Sequence, residues 1–127
     1  MVKQSISTDR APAAIGPYSQ AIRAGELVFF SGQIPLDPET GEVVVGDIAV
    51  QTQRVMQNMS ALLEAAGLAF KDVVKTTIYL VDLGDFATVN DIYGRYFPDP
   101  APARACVQVT ALPKNVSVEI EWIAVAG

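Results

Sequence analysis

The spacing of apolar residues changes along the chain, and each change marks a predicted element. Two short runs of β-prone residues, 19–23 and 27–31, flank Ala24-Gly25-Glu26 and predict a hairpin with a short loop. Residues 37–41, with a proline in the second position, predict a tight turn. A short strand is expected at residues 42–45. The first third of the chain is therefore expected to be β structure.

Helical spacing begins after this β segment. Between residues 47 and 66, apolar side chains recur every three or four positions, which predicts an amphipathic helix. The stripe consists of Ile48, Val55, Met59, Leu62, Leu63 and Ala66. Asp47 is suited to cap the start of this helix, and Gly67 is suited to end it.

The second half of the chain alternates strands with one more helix. Residues 73–81 are rich in β-branched side chains and predict a strand, and residues 85–96 predict a helix. A stiff loop with prolines at 98, 100 and 102 follows. Two strands, 103–109 and 116–125, then enclose a turn around residues 112–115. The order hairpin, helix, strand, helix, strand, strand indicates an α+β domain whose two helices cover one face of a sheet of about five strands.

Alternation along the last strand indicates what each face of this sheet carries. The side that suits the helix-covered core holds Val116, Val118, Ile120 and Trp122. The opposite side holds Ser117, Glu119, Glu121, Ile123 and Val125. On the preceding strand we place Arg104, Cys106 and Gln108 on the uncovered face as well. Such a mixed face is either solvated or packed against another subunit, and Ile123 and Val125 favour association.

The composition of the chain argues against several classes of binding partner. The 127 residues suit one domain spanning 1–127, and half of them are apolar. A net charge of −5 and a pI of about 4.5 argue against a nucleic-acid partner. The polar start of the chain lacks the pattern of a signal peptide, and no apolar run approaches a membrane span. With one cysteine, no disulfide can form within the chain, so a cytoplasmic protein without a membrane partner is expected.

The chain contains no histidine, which removes several reaction classes. A serine–histidine triad and a histidine-containing zinc site are impossible, and we expect no metal. What remains is carboxylate, guanidinium, hydroxyl and main-chain chemistry. Arg104, among small neighbours, is suited to hold a carboxylate bidentately, or else it is a surface arginine paired with Glu119 or Glu121. Glu119 is a general base or an exposed strand glutamate.

Three further side chains allow two interpretations each. Asn90 lies beside the apolar stripe of the second helix, where it either reaches a ligand or satisfies nearby main chain. Tyr18 follows a Gly-Pro turn that could present its hydroxyl at an opening, or it covers the edge of the core. Cys106 is a nucleophile or a small buried hydrophobe.

Seven short motifs occur together along the chain and resemble the Rid family, the reactive intermediate deaminases formerly called the YjgF family. In chain order they are AIGPYSQA (14–21), SGQIP (31–35), EAAG (64–67), VKTT (74–77), FATVN (86–90), PAR (102–104) and VEIE (118–121). Each motif alone is weak, but the ordered set spans essentially the whole chain and is highly specific.

The resemblance implies a chorismate-mutase-like α+β fold that assembles as a homotrimer, with an internal barrel and three clefts between subunits. The implied reaction is hydrolysis of 2-imino or 2-enamino acids, such as 2-iminopropanoate and 2-iminobutanoate, to 2-oxo acids and ammonia, without a cofactor. Arg104 would hold the substrate carboxylate and Glu119 the attacking water. The residues implied to shape the pocket are Tyr18, Ser31, Gly32, Asn90 and Cys106.

Two features depart from the family pattern. Ala105 stands where serine or threonine is common, and the loop of residues 98–102 is shorter than in some members; both bear on pocket size. Two other functions stay open at this point. The first is a non-catalytic protein that binds 2-oxo acids or acts like a chaperone, and the second is a ribonuclease or translation inhibitor.

Overall fold

A computed structural model describes residues Val2–Gly127 of the protein. The strands are β1 (Gln4–Ile6), β2 (Ala21–Ala24), β3 (Leu27–Gln33), β4 (Val73–Leu80), β5 (Ala103–Gln108) and β6 (Val118–Val125). The helices are α1 (Ile48–Ala65) and α2 (Phe86–Gly94), and short 3-10 turns occur at Phe70–Asp72, Leu83–Asp85 and Pro113–Asn115. The predicted α+β class, with two helices and a mixed sheet, is confirmed.

The six strands form one sheet in the order β1-β2-β3-β6-β4-β5. Neighbouring strands are antiparallel except β4 and β5, which are parallel and connected through α2. A crossover of this kind carries its helix back across one face of the sheet. The result places β5 at the edge of the sheet, beside the end of α2.

Local signals define α1. The Asp47 side chain accepts a hydrogen bond from the Val50 amide at 3.1 Å, as its N-cap role requires. Gly67 has a φ of +73°, the left-handed conformation that ends many helices. The buried side of the helix includes Thr52 and Asn58 as well as apolar side chains. The asparagine amide donates to the carbonyl of Leu36, so that its burial leaves no unpaired donor.

The core lies between the helices and one face of the sheet. Trp122 of β6 stacks on Phe30 of β3 with ring centroids 4.6 Å apart. The large core side chains that are almost fully buried include Val28, Val55, Met56, Met59, Leu62, Leu63, Ile78, Leu80, Val89 and Ile120. The predicted inward side of the last strand is confirmed, because Val118, Ile120 and Trp122 are all buried.

Three element predictions need correction. Residues 42–45 form no strand; Val43 makes only an isolated bridge to Leu36. The strand Gln4–Ile6 was not predicted, because three mostly polar residues give no alternating pattern. The second helix is shorter than residues 85–96: Asp85 belongs to the 3-10 turn Leu83–Asp85, and the helix ends at Gly94.

The predicted side of β5 was wrong. Arg104 pairs with Thr76 of β4 and Cys106 pairs with Ile78, and both β4 residues are fully buried beneath the helices. Paired residues point to the same side of a sheet, so Arg104, Cys106 and Gln108 lie on the helix-covered side. On this strand Ala103, Ala105 and Val107 form the more apolar set, so alternation alone pointed the wrong set toward the core.

We call the other side the uncovered face. It carries Leu27, Phe29, Lys75, Thr77, Tyr79, Ala103, Ala105, Val107, Glu119, Glu121, Ile123 and Val125. Phe29 is 42% exposed there, which is high for an aromatic residue in the middle of a sheet. Within residues 2–127, no helix has the length and apolar character needed to cross a membrane.

Candidate functional site

Arg104 extends from the edge strand β5 along one side of α2, from Phe86 to Tyr93. Its Nη1 atom donates a hydrogen bond to Oδ1 of Asn90 at 2.7 Å. The guanidinium carbon lies 5.1 Å from the ring centroid of Tyr93 and 5.4 Å from that of Phe86. Both distances are within the range of a cation–π contact. We call these four residues the arginine cluster.

The sequence of α2 explains this arrangement. Phe86, Asn90 and Tyr93 are four and three residues apart, so they lie along one side of the helix. The Tyr93 hydroxyl is fixed by a 2.7 Å hydrogen bond with Thr76 Oγ1 in the core. Burial raises the pKa of the Tyr93 phenol, with opposing effects from the Thr76 hydrogen bond and the Arg104 charge. Tyr93 is therefore a neutral, rigid support for the guanidinium.

The guanidinium of Arg104 has no carboxylate partner in its own chain. The two salt bridges among residues 2–127 join Arg10 to Glu64 and Arg95 to Asp91. The alternative of a surface arginine paired with Glu119 or Glu121 is thus wrong for the chain by itself. Since only one of its five N–H donors bonds to Asn90, Arg104 keeps donors for an external anion.

Cys106 lies two residues after Arg104 on the same side of β5. It is half-buried and packs against the edge of the core. Burial raises the pKa of its thiol, and the nearby Arg104 charge lowers it in part. The thiol is therefore protonated at neutral pH, which suits a pocket wall better than a nucleophile.

A second group of predicted residues lines a cavity of about 610 Å³ at the other side of the molecule. We call it the glutamate pocket. Its wall consists of Pro12, Ala13, Ile15, Tyr18, Gln20, Ser31, Gly32, Gln33, Ile34, Leu36, Pro113, Lys114 and Glu119. Four of the predicted site residues, Tyr18, Ser31, Gly32 and Glu119, are therefore neighbours in the folded chain.

Hydrogen bonds hold the loop that brings Tyr18 to this pocket. The Ser31 hydroxyl donates to the Ser19 carbonyl at 2.6 Å, which ties the loop to β3. Gly16 has a φ of +125°, a main-chain conformation that residues other than glycine rarely adopt. The resulting turn leaves Tyr18 54% exposed at the opening of the pocket.

Glu119 reaches over the main chain of Gly32. A Cβ atom built on Gly32 would lie only 2.1 Å from Glu119 Oε2, so the carboxylate occupies the space that a side chain would need. Burial raises the pKa of Glu119, and the negative charge of Glu121 raises it further. No cation lies within salt-bridge distance of Glu119 among the described residues. It is thus a partly desolvated, unpaired carboxylate in a cavity.

The arginine cluster and the glutamate pocket lie on opposite sides of the sheet. Glu119 pairs across strands with Tyr79, whereas Arg104 pairs with Thr76. Tyr79 and Thr76 are three positions apart on β4, and side chains an odd number of positions apart point to opposite faces. One chain therefore does not bring the guanidinium and the carboxylate together.

Some site residues were missed by the sequence analysis. Phe86 and Tyr93 were assigned to the apolar stripe of the second helix, yet they also support Arg104. Their spacing from Asn90 was the available signal. Lys114 in the pocket wall was taken only as part of a turn, and its φ of 55° is unusual for a lysine.

The residues of the described chain include no group of three or more Cys, Asp or Glu side chains close enough to hold a metal ion. The chemistry available in the two places is thus a guanidinium, a carboxylate, hydroxyls and main-chain groups. Together these can bind a carboxylate and position a water molecule.

Comparison with known proteins adds the following. The family model described as Endoribonuclease L-PSP matches residues 8–126. A mouse protein named 2-iminobutanoate/2-iminopropanoate deaminase is 49% identical, over 100% of this chain and 94% of its own length. The solved structure of RidA from Psychrobacter is 49% identical with a TM-score of 0.92, covering 96% of this chain and 98% of the other. That of Escherichia coli TdcF, described with bound serine, is 46% identical with a TM-score of 0.92, covering 98% and 99%.

Proposed function

This chain belongs to the Rid (YjgF) family, and on that premise we propose that it hydrolyses 2-imino or 2-enamino acids to 2-oxo acids and ammonia. Arg104 binds the substrate carboxylate, and Glu119 binds the attacking water. Arg104 carries the proposal, because its guanidinium is fixed by Asn90 and two rings yet pairs with no carboxylate among residues 2–127. The serine described with TdcF is a small amino acid, in keeping with such a ligand.

The chemistry needs little beyond positioning. The imine carbon is electrophilic, so water adds to it while the C=N electron pair moves to nitrogen. Glu119 accepts the proton that water loses and delivers it to the nitrogen, which gives a carbinolamine. As the C–N bond then breaks, the carbinolamine hydroxyl gives its proton through Glu119 to the leaving nitrogen, so that ammonia departs and the C=O bond forms. A carboxylate with a raised pKa is suited to both transfers. The hydroxyls of Tyr18 and Ser31 and the main chain near Cys106 orient the substrate.

We further propose that the site forms between copies of the chain in a homotrimer. The arginine cluster of one copy would meet the glutamate pocket of the next, because a single chain places them on opposite sides of its sheet. The exposed apolar residues of the uncovered face, such as Phe29 and Val107, support association through that face. Light scattering that gives the mass of one chain would refute the assembly.

The decisive assay generates the imine in place with an amino-acid oxidase and follows the release of ammonia and 2-oxo acid. We expect the wild type to accelerate release, and Arg104→Ala to lower kcat/KM at least about a hundredfold through loss of the carboxylate contact. Arg104→Lys keeps the charge but not the fork, and we expect it to recover only part of the activity. If wild type and Arg104→Ala both match buffer alone, the enzyme proposal fails.

A mixing experiment separates a site between copies from a site within one chain. Arg104→Ala and Glu119→Gln are each expected to be inactive alone. After co-expression, a cleft between copies can combine the intact arginine of one variant with the intact glutamate of the other. Random mixing then restores about a quarter of the sites. Mixed assemblies with no restored activity would contradict a shared site.

Other readouts address the remaining alternatives. Tight binding of 2-oxo acids without faster imine hydrolysis would favour a non-catalytic binding protein. RNA cleavage that survives both Arg104→Ala and repeated purification would favour the ribonuclease that the family description names.

We also propose that the reaction is metal-independent and takes place in the cytoplasm. Unchanged activity after chelation and fractionation of the native protein test these two points.

A further inference from the structure

The uncovered face carries a second carboxylate beside Glu119 that the proposed reaction does not use. We propose that Glu121 is a positioning residue, whose negative charge acts through Glu119 and makes that carboxylate a stronger base for the attacking water. The effect of Glu121 on the reaction rests on the proposed function. The interaction between the two glutamate charges does not, and it can be measured without any substrate.

The geometry of β6 places these two carboxylates together. Residues two apart on a strand point to the same face, with Cα atoms about 7 Å apart. Glu119 and Glu121 pair with Tyr79 and Thr77 of β4, so both side chains lie over the same part of the uncovered face. Their long side chains can bring the charges closer than the Cα atoms.

A small recess joins Glu121 to the glutamate pocket. Its volume is about 170 Å³, and its wall includes Glu121, Lys75, Thr77, Ser31 and Gly32. Ser31 and Gly32 also line the glutamate pocket, so these two residues form a shared wall. Glu121 therefore lies behind the pocket rather than in it, which leaves room for a substrate beside Glu119.

The charged and titratable groups around Glu119 favour this coupling. From β4 it faces Tyr79, and burial and the two glutamates raise the pKa of that phenol, so Tyr79 is neutral. Strand β3 contributes Ser31, Gly32 and Gln33 to the pocket wall, none of which is charged. Lys114 lines the pocket wall, but it lies outside salt-bridge distance of Glu119.

On the other side of the shared wall, Lys75 lies in the recess of Glu121 and opposes the effect of its charge. The lysine is outside salt-bridge distance of Glu121 within the chain. Tyr18, from the loop before β2, reaches the same pocket as Glu119. After desolvation, Glu121 is the next cause that raises the pKa of Glu119.

The test is a carboxyl titration by NMR on the full-length protein, with ¹³C at the glutamate carboxyl and Glu119→Gln to assign the signal. We expect the titration midpoint of Glu119 to move to lower pH in Glu121→Gln and to stay in place in Glu121→Asp, which keeps the charge. Glu42→Gln, an exposed glutamate in a distant loop, serves as the control and should change nothing. A Glu119 midpoint that is the same in wild type and Glu121→Gln overturns the inference.

The pH profile of kcat/KM gives the second readout. We express kcat/KM at one acid pH as a fraction of its plateau value for each protein. This fraction should be roughly two- to fivefold larger in Glu121→Gln than in the wild type. A loss of activity at every pH with an unmoved acid limb would show a structural role and contradict the coupling. If the wild type hydrolyses no imine, the proposed function fails, and the NMR titration still decides whether the two glutamates are coupled.

Discussion

The arginine cluster and the glutamate pocket fix their charged groups by opposite means. Arg104 is held by contacts, with a hydrogen bond to Asn90 and two aromatic rings beneath it. Glu119 has no such partner, and its carboxylate lies in space left free because residue 32 is a glycine. The guanidinium is thus positioned by direct contacts, and the carboxylate by the space that a glycine at position 32 leaves open.

This difference has a consequence for charge. The contacts around Arg104 orient its free donors. The environment of Glu119 removes water and adds a like charge, which raises the pKa of the carboxyl. Substitutions in the arginine cluster should therefore lower activity by weakening binding of the anion. Substitutions in the glutamate pocket should lower it by impairing proton transfer.

The largest contrast is expected from filling the space under Glu119. In Gly32→Ala the new methyl group would overlap Oε2 of Glu119, so the flexible end of the side chain must move. We expect kcat to fall about 10- to 100-fold, because the carboxylate that we propose to bind the water is displaced by about 1 Å or more, while the melting temperature changes little. Steady-state kinetics with the imine-coupled assay measures the loss.

Gly94→Ala is the matched control for this change. A Cβ atom at Gly94 would meet no other atom within 4 Å, and its φ is not positive. We expect the kinetics of Gly94→Ala to equal those of the wild type. A Gly32→Ala variant with wild-type kcat would show that the position of the Glu119 carboxylate does not matter to the rate.

A smaller effect is expected from loosening the arginine cluster. Asn90→Ala removes the hydrogen bond to Nη1 but leaves Arg104 over Phe86 and Tyr93. We expect kcat/KM to fall about three- to tenfold, mostly through a higher KM, since one neutral contact to a charged group is lost. Thr88→Ala, at an exposed position of the same helix, should leave both constants unchanged. A loss in kcat alone would contradict a role in anion binding.

The smallest expected effect concerns stability. Because folding raises the pKa of Glu119, the folded chain binds this proton more tightly than the unfolded chain does. The stability of the wild type therefore falls as the pH rises from the unfolded value, about 4.3, through the raised folded value. Glu119→Gln does not titrate, so its melting temperature at neutral pH should exceed that of the wild type by roughly 1–3 °C.

Melting curves at several pH values check this expectation. The advantage of Glu119→Gln should shrink toward acid pH, where the wild-type carboxyl is itself protonated. The exposed Glu42→Gln variant should follow the wild type throughout. An advantage that grows toward acid pH would have the wrong sign for a glutamate with a raised pKa.

Strong local patterns made much of the fold predictable. The 3.6-residue stripe, the Asp47 cap and the Gly67 terminus gave α1 almost to the residue. The short edge strand Gln4–Ile6 could not be predicted, since its pairing with β2 supplies the order that its own sequence lacks. The side taken by β5 escaped prediction for a related reason: its pairing with β4, distant in sequence, decides which alternating set faces the helices.

The candidate site shows the same limit. Motif resemblance named its residues, and the structure groups Tyr18, Ser31 and Gly32 with Glu119, and Asn90 with Arg104. Periodicity could not show that the two groups occupy opposite sides of one sheet. That separation depends on how neighbouring strands are paired, and the spacing of residues within one strand does not reveal this pairing.

Opposite placement of the two groups also has a genetic consequence. In a closed ring with one site at every junction, each copy would give its arginine to one neighbour and its glutamate to the other. A copy that lacks both residues would then disable two junctions, although it folds and assembles normally. Produced in equal amount with the wild type, such an allele should leave about a quarter of the junctions active, where a site within one chain would leave half. Two alleles that each lack one residue should also give about a quarter, where a site within one chain would give none.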